Sequence, residues 1–173
     1  QQGSCWVSYL NKQHYGIVCE SAKVSENAHI GNGVKVSGTA EISGNIDLFA
    51  SPFSDGVLIS GNAKITGENV LIRARSRSSV AISGNVEIDG DGVEICADNG
   101  YRLFIGGNVK IYEQAQLTGC CQLFDNVEIY GKAKLVDSIA KDNAQIFGEA
   151  QVLNYSQISG NGKIFGNVEL ASS

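Results

Sequence analysis

Methionine is absent from this chain of 173 residues, and proline and tryptophan each occur once. No apolar run approaches the roughly 20 residues that a membrane helix needs, and no charged-then-apolar leader is visible. Long segments of 3.6-residue periodicity are missing too, which argues against a helical fold. A net charge of −5 leaves no basic surface for a non-specific grip on nucleic acid. The five cysteines (Cys5, Cys19, Cys96, Cys120, Cys121) are odd in number and lack CxxC or Cys/His metal spacing. They read as thiols in a reduced, cytoplasmic setting, with Cys5 and Cys121 inward as small hydrophobes, and no metal site is expected. GxSxG, P-loop and HExxH patterns are absent. Asp89-Gly90-Asp91-Gly92 lacks the spacing and terminal Glu of a calcium loop and reads as a Gly-rich turn. Without an initiator Met, and opening inside what reads as a strand, the chain is expected to be a piece of a longer protein or assembly.

What the chain has is glycine, 21 of them, and a repeat. In residues 22–48, Val24, Ile30, Val36, Ile42 and Leu48 fall every sixth residue, and Ala22, Ala28, Val34, Ala40 and Ile46 each lie two positions earlier. Residues at i−2 and i share one face of an extended strand, while Lys23, His29, Lys35, Glu41 and Asp47 face the other. Gly/Ser/Asn/Thr turns separate the units, where tight corners need unusual φ/ψ. A strand-and-turn unit of six residues repeated without a break marks a β-helix of the hexapeptide type.

Setting the aliphatic positions in threes gives walls A, B and C, starting with Val24 on A and running as Val24/Ile30/Val36 to the partial rung Ile164/Leu170. Val7 and Val18 extend the series upstream as B and C. Departures from the hexad respect this count. Extra residues enter between Val7 and Val18, Leu48 and Ile59, Ile72 and Ile82, and Ile95 and Ile105, always from B to C. The residues before the A aliphatics read Lys23, Glu41, Lys64, Glu87, Lys110, Glu128, Gln145 and Lys163, a column alternating in charge between rungs roughly 4.8 Å apart. Asn62, Asn85, Asn108, Asn126, Asn143 and Asn161 form a second column, suited to left-handed turns and to stacked amides. The expected fold is an all-β, single-stranded, three-sided parallel β-helix of about eight coils, one domain over residues 1–173.

Two surfaces stand out. The B-to-C insertions bring loops 8–17, 49–58, 73–81 and 96–104 to one edge, carrying Phe49, Pro52, Phe53 and Asp55, then Arg73, Arg75 and Arg77, then Asp98, Tyr101 and Arg102. The outward C positions beside them turn apolar at Leu58, Ala81 and Phe104. This mixed aromatic and cationic edge suits an anionic or sugar-like ligand or a protein partner, while loops folded over an apolar sheet explain it structurally. The second surface is the aromatic column Tyr112, Tyr130, Phe147 and Phe165, either a self-supporting ladder or an oligomer contact. The two histidines are His14, in the first insertion beside Tyr15, and His29, outward on a strand; His14 is the weak candidate for a catalytic base.

With Gln1-Gln2-Gly3-Ser4-Cys5-Trp6-Val7 and units such as Asn27-Ala28-His29-Ile30 and Asn62-Ala63-Lys64-Ile65, the chain resembles the left-handed β-helix hexapeptide-repeat proteins. Within them it is most similar to the bacterial YdcK-like proteins labelled as transferases. That resemblance implies left-handed coiling and, for many members, trimers that bind an acyl-coenzyme A between coils and use a histidine base. The leading functional expectation is a scaffold or binding module acting through its loop-bearing edge on a protein partner or a second copy, with no cofactor required. The alternatives are an acyltransferase with an acyl-CoA-like donor and a self-stacking filament subunit. Neither nucleic acid nor membrane is expected as a partner.

Overall fold

Each hexad turns two residues inward, and such pairs as Val86 and Ile88, Val109 and Ile111, and Ala133 and Leu135 are all buried. The computed structural model describes residues 5–10, 13–19, 21–50, 56–74, 80–97 and 102–172, with the backbone alone for 5–15. Wall A stacks Val24, Ile42, Ile65, Ile88, Ile111, Ile129, Ile146 and Ile164 in parallel register. Wall B stacks Ile30, Leu48, Ile72, Ile95, Leu117, Leu135, Val152 and Leu170. Wall C stacks Val18, Val36, Ile59, Ile82, Ile105, Leu123, Ala140 and Ile158. These are the three columns that the hexad register predicts. The fold is a parallel β-solenoid whose aliphatic interior forms one continuous core.

Wall C is a sheet of its own, whereas A and B merge because Glu41–Phe49 and Lys64–Arg73 run unbroken round the corner between them. Along wall A, seven pairings link Val24 to Ile164, giving about seven turns and a column about 34 Å long. The expected eight coils thus come out as about seven turns, because eight stacked positions bound seven intervals, and the N-terminus departs from the register as well. Strand β1 (Cys5–Leu10) pairs antiparallel with β2 (Gln13–Cys19). Val7 stands opposite Ile17 at the edge of wall C and adds no rung to wall B. The hairpin occupies the hydrogen-bonding edge of β2 that would otherwise be open.

Two further expectations change. Cys19 is disulfide-bonded, and Cys5 faces it across the hairpin register. This weighs against a uniformly reduced setting, although Cys120 and Cys121 are free thiols. Cys121 does point inward, and burial pushes its thiol up to about 11. The asparagines, for their part, do not take the left-handed corner. That falls to the residue before each of them, Gly61, Gly84, Gly107, Asp125, Asp142 and Gly160. A Cβ on Gly61 would lie 2.8 Å from the Gly84 nitrogen, so the upper corners pack backbone on backbone. The asparagine side chains are left to bond along the axis. Asn62 donates to Asn85, and the next four amides follow at 2.9, 2.9, 3.0 and 3.0 Å as far as Asn161. Among the described residues no helix is long and apolar enough to cross a membrane.

Candidate functional site

The column of alternating charge lies on wall A as drawn from the sequence. Lys23 donates to Glu41 at 2.6 Å, Lys64 lies 3.6 Å from Glu87, and Gln145 donates to Glu128 at 2.9 Å. The Lys23 ammonium holds the Glu41 carboxyl below its ordinary value, through the hydrogen bond first and charge second. These pairs fix register and occupy solvated positions, so they offer no acid–base chemistry.

The three later insertions fall between walls B and C, as the three-fold count requires. Phe53, Asp55, Arg75, Arg77 and Tyr101 lie outside the described residues, as do Pro52 and Asp98. What flanks them is described. Phe49 and Leu58 are 39% and 40% exposed, large apolar side chains on either side of the first insertion. On wall C, Leu58, Ala81 and Phe104 stand in register on successive rungs, and the Phe104 ring meets Phe124 at 5.5 Å. Arg73 is half-buried at the end of its strand, and Arg102 is exposed just before Leu103–Ile105. An apolar strip with cations at its margin thus borders the edge where the insertions leave the column.

His14 is not in a loop. It lies on β2, opposite Tyr9 in the hairpin register. His29, read from the sequence only as an outward strand residue, makes the more specific contact. Its Nδ1 is 2.7 Å from Asp47 Oδ1 on the next rung, and its ring meets Phe49 edge-on at 5.3 Å. With a carboxylate accepting, Nδ1–H donates. The Nε2 atom is enclosed by protein, so it does not face an open cleft. Eighteen-residue spacing was the signal that pairs them, since His29 and Asp47 are stacked wall-B positions.

The aromatic column forms as expected. Tyr112, Tyr130, Phe147 and Phe165 stack with centroids 4.9, 4.9 and 5.2 Å apart and planes within 9° of parallel. The first three rings are half-buried against one another, whereas Phe165 is 58% exposed. Burial first, then the Glu128 carboxylate, pushes the phenols of Tyr112 and Tyr130 upward, so both remain protonated donors at ordinary pH. Just past this column, at the A–B corner, runs a feature that sequence reasoning missed. Two concavities of about 460 and 450 Å³ share Gln114, Lys132 and Glu149. Gln116, Lys134 and Gln151 line the wall-B side, and Gly131 and Gly148 lie toward the turn. A repeat that spaces glutamine and lysine every rung was the available signal. Among the described residues no cluster of His, Cys, Asp or Glu could hold a metal ion.

No protein-family profile matches the chain, and no curated protein does. Among solved structures it is similar to a UDP-N-acetylglucosamine acyltransferase of Francisella novicida, at 14% identity and a TM-score of 0.48. The match covers 85% of this chain, which spans 62% of the length of that structure.

Proposed function

We propose that this chain is a rigid binding module of the left-handed hexapeptide-repeat type. It would recognise a protein partner or a second copy of itself through the B–C edge. The observation that supports this most is the apolar set of Phe49, Leu58, Ala81 and Phe104, of which Leu58, Ala81 and Phe104 stand in register beside the points where the insertions leave the column. A solenoid is a stiff rod that displays such a strip without rearrangement, and apolar surface of this kind marks interaction sites. No cofactor is needed for that role. Sedimentation velocity from low to high micromolar concentration tests the second-copy version. The expected outcome is self-association that Leu58→Asp reverses with circular dichroism unchanged. A partner-directed version predicts a monomer. There, changing Arg73, Arg75 and Arg77 together to alanine should abolish stabilisation by acidic peptides in a thermal-shift screen. A monomer that no acidic peptide stabilises rejects the reading.

A second reading, acyl transfer from an acyl-CoA-like donor, draws on the His29–Asp47 pair rather than on His14. A carboxylate that accepts from Nδ1–H orients an imidazole and raises its basicity, as in a His–carboxylate base. The enclosure of Nε2 requires the neighbouring surface to open first. Stabilisation by acetyl-coenzyme A that is lost in His29→Gln would favour this reading; no stabilisation would remove it.

A further inference from the structure

The groove at the A–B corner lies away from the loop-bearing edge, and its lining has a definite chemistry. The concavity of about 460 Å³ is bounded by glutamine, lysine and glutamate side chains and by no aliphatic one. That volume is within the ordinary range for small-molecule sites, roughly 300–1,000 Å³. Its charges nearly cancel. Lys132 pairs with Glu149 at 3.4 Å, and across the two adjoining concavities the cations Lys132 and Lys134 stand with the carboxylates of Glu149, Glu113 and Asp91. A site for a phosphate, sulfate or polyanion would carry a clear excess of cations, and this one does not. Amide side chains both donate and accept, which matches hydroxyl groups that do the same.

Periodicity narrows the class. Gln116, Lys134 and Gln151 are in strict parallel register, one per rung. Gln114, Lys132 and Glu149 repeat beside them at the corner, where the Gln114 amide bonds to the Gly131 carbonyl and the Lys132 amide to Gly148. Two polar side chains are therefore offered at every rung, roughly 4.8 Å apart. An extended peptide advances roughly 3.3 Å per residue and falls out of step with this grid. A linear chain of linked hexoses advances by about one rung per sugar, and each sugar carries hydroxyls on both faces. Gly131 and Gly148, at φ of 77° and 75°, turn left-handed, and a Cβ on them would lie 2.8 and 3.0 Å from the backbone nitrogen of the next rung's glycine, so the rungs stack closely at this corner and keep the side chains beside it in step.

We infer that this groove binds a neutral, linear oligosaccharide lying along the solenoid axis, with each sugar addressed by one rung. Cellopentaose, chitopentaose and maltopentaose are the probes, with the matching disaccharides as length controls, in saturation-transfer NMR and calorimetry. At least one pentasaccharide is expected to bind, about tenfold or more tightly than its disaccharide, because additional rungs engage additional units. Gln116→Ala with Gln151→Ala should weaken it about tenfold, as loss of hydrogen bonds to uncharged partners implies. Gln114→Ala at an exposed turn is a second variant should the pair fold poorly, and thermal melts identify that case. The proposal is overturned if none of the three pentasaccharides binds. It fails equally if length makes no difference, if the folded variants bind as the parent does, or if a heparin hexasaccharide binds more tightly than the neutral probes.

Discussion

The B–C corner is built in two ways, and the two halves of the column can be set against each other. From Leu48 to Ile105 the chain leaves wall B, inserts extra residues and returns to wall C. There the inward residues two positions before the C aliphatics are Val57, Val80 and Leu103, all buried. From Leu117 onward the corner is tight, and the same column becomes Cys121, Ser138 and Ser156. The tight corner brings wall-B carbonyls within reach of these side chains, and an apolar residue there would make no bond to them. Instead Ser138 Oγ donates to Val136 O at 2.7 Å, Ser156 Oγ to Leu153 O at 2.6 Å, and Cys121 Sγ to Leu135 O at 3.2 Å. Asp137, Asn154 and Tyr155 take the left-handed conformations that such a corner demands. A buried polar atom here is a consequence of corner length, because each buried carbonyl must find a donor.

Exchanging the two solutions is the strongest way to break this comparison. Val80→Ser puts a hydroxyl where the chain offers no tight-corner carbonyl and removes apolar volume, so it should cost roughly 2–4 kcal/mol. Ser138→Val removes a satisfied donor and crowds the corner, at a cost of roughly 1–3 kcal/mol. Urea denaturation monitored by circular dichroism measures both. If Ser138→Val is neutral while Val80→Ser is not, the hydroxyl does not hold the corner and the account is wrong.

The halves differ outside as well. Wall A carries its charged column along its whole length, but only the lower rungs add stacked rings. Tyr130→Ser with Phe147→Ser removes all three stacked contacts, at about 0.5–1.5 kcal/mol for each ring pair. The expected result is a lower melting temperature with unchanged sedimentation, since the rings are satisfied by one another. A change in mass would instead make this column an oligomer contact. The asparagine column is subtler. Asn126→Ala severs the bonds to Asn108 and Asn143, but water replaces them at this exposed corner, so about 0.5–1 kcal/mol is expected.

The walls, the charge column, the amide column and the stacked rings were legible because each depends only on which residues recur at one rung's spacing. Val24, Ile42 and Ile65 announce their stacking by position alone. Other features escaped because they depend on something the repeat does not encode. Val7 fits the hexad count for wall B, yet an antiparallel hairpin with β2 competes for the same segment and wins. Ser138 falls at the inward position two before Ala140, but the register alone does not say why a hydroxyl stands there. The groove at Gln114 and Lys132 escaped for another reason: it is lined by outward polar side chains, and no hydrophobic pattern records it.

The smallest expected effect lies at the top of wall A, where Ser25 and Ser43 stand at the ring positions and the charged column is left without rings beside it. Glu41 is held below its ordinary pKa by Lys23, so its contribution is present above the unfolded-state value and fades as pH falls through the folded one. Lys23 is raised by the same contact, so its share is present below the unfolded value and fades as pH rises through the folded one. The pair thus favours the native state across the neutral range and weakens at both extremes. Both side chains are solvent-exposed, so water and salt screen most of the interaction. Lys23→Met should accordingly leave the midpoint of urea unfolding at neutral pH almost unmoved, and added salt should erase what difference there is. A large loss in that variant would mean that the column does more than set register. The contrast between a decorative charged wall and a cohesive aromatic one would then have to be abandoned.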